Sequence, residues 1–141
     1  MKLSFVIPVF RNEGSIKPTF EKLLDLVKSL NISYEFIFVN DGSDDNSLRE
    51  LIDLHKQDKN VKVISFSRNF GQVAAVIAGL KEVTGDAVVS ISADLQEPIT
   101  LIENMIDRWK AGNEIVICHR VDREDSFIAN NASKVFYKLM K

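Results

Sequence analysis

The chain has 141 residues, 45% of them hydrophobic and 27% charged, which suits one globular domain and leaves no room for two ordinary ones. The formal net charge of -2 lacks the basic excess of a general nucleic-acid binder. With one cysteine, Cys118, no internal disulfide can form, which suits a reducing compartment. No stretch approaches the ~18 apolar residues of a membrane span, and the N-terminus carries neither the length nor the cleavage site of a signal peptide.

In chain order, short apolar runs alternate with longer amphipathic ones. Residues 3–9 form a continuous apolar run with β-branched residues that reads as a buried strand. Residues 15–30 follow with Ile16, Phe20, Leu23, Val27 and Leu30 at helical spacing. A second strand is expected over 34–39, stopping at the turn signal Asn40-Asp41-Gly42-Ser43. A helix over 46–56, a strand over 61–67 and an alanine-rich helix over 72–83 come next. A fourth strand is expected over 87–92, and then a helix over 99–111 entered through Pro98. A fifth strand is expected over 114–118 and an amphipathic segment over 126–141.

This alternation predicts right-handed βαβ crossovers and a mainly parallel sheet flanked by helices on both faces. Ligands in such sheets bind beyond the carboxyl ends of the strands, near the point where strand order reverses. Polar residues collect after those ends: Phe10 to Gly14, Asn40 to Ser43, Arg68 to Gly71, Ala93 to Gln96, and His119-Arg120. Asp41 and Asp94 follow different strands and can converge on one crevice. A carboxylate beside a flexible glycine, Asp41 before Gly42, can accept hydrogen bonds from a base or ribose. A second, Asp94, can share a divalent cation with a diphosphate, since Mg²⁺ and Mn²⁺ take oxygen ligands from one or two carboxylates, phosphates and water. Gln96 offers an amide oxygen, and Arg68 or Arg120 can supply bidentate phosphate contacts.

Each element also has a structural reading: turns and caps for Asp41 and Asp94, a helix-start charge for Glu13, solvated cations for the arginines. No G-x-G-x-x-G or G-x-x-x-x-G-K-[ST] pattern occurs, which argues against a dinucleotide dehydrogenase and a P-loop NTPase.

The ordered set Pro8-Val9-Phe10, Val39-Asn40-Asp41-Gly42-Ser43-Asp44-Asp45, Arg68-Asn69-Phe70-Gly71, Gly79, Thr84-Gly85-Asp86, Asp94-Leu95-Gln96-Glu97-Pro98, Arg120 and Arg123-Glu124-Asp125-Ser126 resembles the inverting family-2 glycosyltransferases of the GT-A fold. The likeness runs over essentially the whole chain and is nearest to the polyprenyl-phosphate branch, which includes dolichol-phosphate mannosyltransferases and bactoprenol glucosyltransferases. It implies the Rossmann-like nucleotide-binding half of a GT-A fold over 1–125, with an acceptor-side segment beginning at 126–141. It implies that Pro8, Phe10 and Glu13 line the base pocket, that Asp41 with Gly42 meets the base or ribose, and that Arg68 and Ser92 complete the donor site. Asp94 and Gln96 would bind Mg²⁺ or Mn²⁺. Arg120, with Ser133 and Lys134, would meet the phosphate of a lipid-phosphate acceptor, so that Asp94 and Arg120 are the expected catalytic pair. The family's usual Asp-x-Asp reads Ser92-Ala93-Asp94 here, leaving one carboxylate. Relatives of this kind usually continue for about another domain's worth of chain, and membrane-surface contact would come from that region, at the cytoplasmic face. The alternatives are a sugar-nucleotide nucleotidyltransferase and a non-catalytic nucleotide-sugar-binding fragment. The sequence does not indicate an oligomeric state.

Overall fold

A computed structural model describes residues 1–94, 98 and 100–118. Its elements run β1 (Lys2–Val9), α1 (Ile16–Ser29), β2 (Ser33–Asn40), α2 (Ser47–Gln57), β3 (Val61–Ser65), α3 (Gln72–Leu80), β4 (Ala87–Ser90) and α4 (Thr100–Lys110). Four strands make one sheet in the order β3-β2-β1-β4, and every pair is parallel. This is the expected α/β architecture.

The strands β1 and β2 are buried on both faces because helices cover both. Leu3, Phe5, Ile7 and Val9 alternate with Ser4, Val6 and Pro8, so one set meets α1, α2 and α4 and the other faces α3. The first face holds the larger core: Phe5, Phe36 and Phe38 against Ile16, Phe20, Leu23 and Val27 of α1, Leu51 and Leu54 of α2, and Ile102 and Ile106 of α4. Phe20 meets Phe36 edge-on with ring centroids 5.6 Å apart, a favoured aromatic arrangement. The smaller core on the other face gathers Val6, Ile37 and Val39 under Ala75 of α3. Gly79 lets α3 come this close. A β-carbon there would lie 2.5 Å from Val6 Cγ1.

The α3-side face also carries a buried charge. Glu35, 2% exposed, accepts hydrogen bonds from Ser4 Oγ at 2.6 Å and from the Thr84 N–H at 2.6 Å. Lys2 Nζ and Lys62 Nζ lie 2.9 and 3.1 Å from its Oε2. Burial alone would raise its pKa, but the bonds from Ser4, the Thr84 backbone, Lys2 and the Thr84 hydroxyl outweigh burial and hold it far below the usual carboxylate range. This network explains where α3 stops. The helix ends at Leu80, short of the expected residue 83. The chain must turn there for Val83 to join the smaller core and for Thr84 to reach Glu35. Lys62 Nζ helps by donating to the Glu82 carbonyl at 3.0 Å.

The expected fifth strand needs correction. Residues 115–118 have no regular secondary structure. Ile115 and Ile117 are 80% and 83% exposed, while Val116 lies beside Val88, Val89 and Met105. Apolar alternation supplies strand propensity, but a strand also needs a ladder partner. The segment borders β4 without pairing to it. The amphipathic segment 126–141, and the domain boundary placed before it, lie outside the described residues.

Candidate functional site

The order β3-β2-β1-β4 defines the switch point. The chain steps outward from β1 through β2 to β3, then returns to the other side of β1 with β4. The last β1–β4 rung is Val6↔Ser90, and the Ile91 N–H still donates to the Val6 carbonyl at 3.1 Å. Pro8, which has no N–H to offer, sits just past that point, where the two strands part. A cleft of about 310 Å³ opens there. Pro8 near the end of β1, with Phe10 and Asn12 just after it, forms one wall, and Ser92, Ala93 and Asp94 after β4 form another. Asp41, Asn69, Gly71 and Gln72 close it on the β2–β3 side.

Each wall is fixed by side chains buried behind it. Asp41, 3% exposed, accepts the Phe70 N–H on Oδ1 at 2.7 Å and the Gly71 N–H on Oδ2 at 2.9 Å. Its own N–H donates to the Val9 carbonyl at 2.8 Å. One residue after β2 therefore ties the end of β1 to the loop after β3, and does so just ahead of the amino end of α3, where negative charge is favoured. Asn40 adds two bonds, accepting the Ser43 N–H at 3.2 Å and donating to Ser65 Oγ at 3.0 Å. Gly42 has φ 66°, and a β-carbon on it would collide with the backbone of Arg68 and Asn69. Only glycine fits this crossing of two loops. On the opposite wall, the wholly buried Thr19 hydroxyl of α1 lies 2.8 Å from both the Ala93 and the Ser15 carbonyls, so α1 packs directly against the turn carrying Asp94.

The expected site residues divide into three groups. Pro8, Phe10, Asp41, Ser92 and Asp94 line the cleft, with Asp94 exposed to it. Glu13, Gly42 and Arg68 do not line it. Glu13 accepts the Asn46 N–H at 3.1 Å and Asn46 Nδ2 at 2.7 Å, so its carboxylate serves the start of α2. Gly42 is the loop crossing just described. The Arg68 guanidinium lies over the Phe70 ring, 4.8 Å from its centroid. Gln96, Arg120, Ser133 and Lys134 lie outside the described residues. The sequence reading missed Asn12, Asn69 and Gln72 as lining residues, though Asn12 and Asn69 stood within segments it singled out. Thr19 gave no signal, because a hydroxyl on a buried helix face looks like any other threonine.

The electrostatics are one-sided. Among the described residues the cleft lining holds two carboxylates, Asp41 and Asp94, and no lysine or arginine. No group of three or more His, Cys, Asp or Glu among them could hold a metal ion unaided. Asp94 and Ser92 share the cleft lining, and a carboxylate with a hydroxyl suits a cation that takes its remaining ligands from phosphate oxygens and water.

A parallel α/β sheet with its cleft at the switch point and an acidic residue after β4 is the arrangement of a GT-A-type nucleotide-sugar enzyme. The chain belongs to glycosyl transferase family 2, whose model matches residues 4–140. It is 39% identical over 141 residues to an uncharacterized glycosyltransferase of Synechocystis sp., covering 99% of this chain and 44% of that one. It is 39% identical over 140 residues to the bactoprenol glucosyl transferase of Shigella phage SfX, covering 99% of this chain and 46% of that one. The chain thus spans somewhat under half the length of these curated relatives. Among solved structures, the mannosyltransferase PcManGT from Pyrobaculum calidifontis in complex with GDP-Man and Mn²⁺ superimposes with a TM-score of 0.68 at 17% identity, over 90% of this chain and 37% of that one. Staphylococcus aureus TarS 1–349 in complex with UDP gives 0.59 at 24% identity, over 77% and 32%. Both likenesses establish the fold.

Proposed function

We propose that this chain is the donor-binding part of a glycosyltransferase that moves a sugar from a nucleoside-diphosphate sugar to a polyprenyl phosphate, with inversion at the anomeric carbon. The observation that carries the donor assignment is the switch-point cleft with Phe10 and Asp94 on its two walls, in a chain of family 2. An aromatic ring on one side and a carboxylate on the other match a ligand with a planar base at one end and a diphosphate at the other. The relatives named for bactoprenol support the lipid-phosphate acceptor. In the transfer, an acceptor phosphate oxygen bonds to the anomeric carbon as the bond from that carbon to the nucleoside diphosphate breaks. Such an oxygen is already ionised near neutral pH, so alignment and charge stabilisation carry most of the rate.

The charge of the cleft supports a divalent cation, Mg²⁺ or Mn²⁺. A diphosphate entering beside Asp41 and Asp94, with no lysine or arginine in the described lining, meets repulsion unless a cation lies between. Asp94 would hold that cation, and Gln96 is the nearest further oxygen donor in the sequence. When bound, the ion offsets charge building on the departing diphosphate. No helix of the described residues is long and apolar enough to cross a membrane. Work on a lipid-linked acceptor places the whole protein at a membrane surface, and we assign the cytoplasmic side.

Titration of UDP, GDP and their sugars, with and without Mn²⁺, tests the reading. Nucleotide binding is expected to depend on Mn²⁺, and Asp94→Ala is expected to remove the metal-dependent part, with its melting temperature measured alongside to check the fold. Well-folded protein that binds none of them at millimolar concentration would sink the donor assignment. A metal dependence that survives in Asp94→Ala would take Asp94 out of its role.

A further inference from the structure

Arg11 belongs neither to the core nor to the lining of the cleft, yet its conformation is unusual. It is one of two non-glycine residues, among those described, with a left-handed backbone, at φ 53°. A β-carbon makes that conformation unfavourable, so something must hold it. The Arg11 N–H donates to Ser43 Oγ at 3.1 Å. Its guanidinium makes a two-pronged pair with Asp44, Nε to Oδ1 and Nη2 to Oδ2, each at 2.8 Å. The same guanidinium lies 5.2 Å from the centroid of the Phe10 ring. Both members of the ion pair are well exposed, and exposed pairs add little to stability. A stability role therefore explains the strained backbone poorly.

Phe10 supplies the better explanation. It is a large apolar side chain left 40% exposed, and it lines the cleft. Arg11 does not line the cleft, and its guanidinium rests against the Phe10 ring. The Phe10 N–H is pinned in turn by Asn12 Oδ1 at 2.9 Å. With Nε and Nη2 engaged by Asp44, the guanidinium is held in place against the Phe10 ring.

We propose that Arg11, clamped by Asp44, is a positioning residue that fixes the Phe10 ring as the platform on which the donor's nucleobase stacks. The proposal rests on the donor reading. It adds that affinity for the base depends on a residue that touches Phe10 and not the ligand.

The test compares UDP and inorganic pyrophosphate, both with Mn²⁺, by calorimetry on wild type, Arg11→Asn, Phe10→Ala and the double variant. Asparagine tolerates a left-handed backbone, so Arg11→Asn should fold, and its melting temperature checks this. The expected result is a loss of about two- to fivefold in UDP affinity, the range of an exposed cation–ring contact, with pyrophosphate affinity unchanged. The loss should vanish in the Phe10→Ala background. Asp44→Asn, which keeps the cation but frees it, should weaken UDP binding in the same direction. An unchanged UDP affinity in Arg11→Asn, an equal loss for pyrophosphate, or a loss that persists without Phe10 would overturn the positioning role and leave the donor reading standing. Wild-type protein that binds pyrophosphate with Mn²⁺ but no nucleotide would overturn both.

Discussion

Glu35 is a buried carboxylate at the sheet edge remote from the cleft, and it joins Ser4, Thr84, Lys2 and Lys62. Its folded pKa lies below the ordinary value of 4.5. The unfolded chain therefore takes up a proton near that value while the folded chain resists. The stabilisation is complete above about pH 5 and is lost as pH falls through and below 4.5. Urea midpoints measured from about pH 3 to 6 should drop toward acid in wild type and drop less steeply in Glu35→Gln. At neutral pH that variant should be less stable by about 3 kcal/mol, since it leaves two lysines and a backbone N–H short of a charged partner. Equal acid sensitivity in both proteins would show that other carboxylates govern the transition. None of this was legible in sequence, where Glu35 is one more charge in a run that otherwise reads as apolar. Phe10 and Asp94 were legible as cleft residues, because each lies a short way beyond the carboxyl end of a recognisable strand.

Among the elements, the order of the first four strands and four helices followed from hydrophobic period, and the ends and the fifth strand did not. The helix expected over 72–83 is cut at Leu80 by a hydrogen bond that spans 49 residues from Glu35 to Thr84. Local propensity cannot report such a constraint. The run 114–118 failed differently: its pattern is right for a strand, but pairing is a property of two segments. Gly79 separates local from tertiary effects in a measurable way. Alanine favours a helix over glycine by about 1 kcal/mol. Its β-carbon would press on Val6 at 2.5 Å, and overpacking of this kind costs about 1–3 kcal/mol. The packing term is the larger, so Gly79→Ala should lower the urea midpoint. A raised midpoint would mean that α3 can lift off the sheet without penalty.

Across the molecule, one edge of the sheet gathers the cleft-lining loops and the other gathers the network around Glu35. Metal binding depends on the summed charge of the cleft and not on one ligand. The described residues offer no cluster of three metal-binding side chains, so Mn²⁺ alone should bind more weakly than about 1 mM, and UDP should create a tighter site. Electron paramagnetic resonance of free Mn²⁺ during titration reads this directly. Tight Mn²⁺ binding without nucleotide would require ligands beyond the described cleft.

The tether made by Asp41 has a kinetic consequence. Phe70 and Gly71 lie outside any helix or strand, where amide protons normally trade with solvent quickly. Both are held by a carboxylate that is itself locked to β1. Their exchange with deuterium should therefore follow the slow opening of the sheet and not the fast breathing of a surface loop. In Asp41→Asn, where one acceptor oxygen is lost, at least one of the two should speed up well ahead of the strands. The wall of the cleft would then be a piece of the core that happens to face outward, present before any ligand arrives.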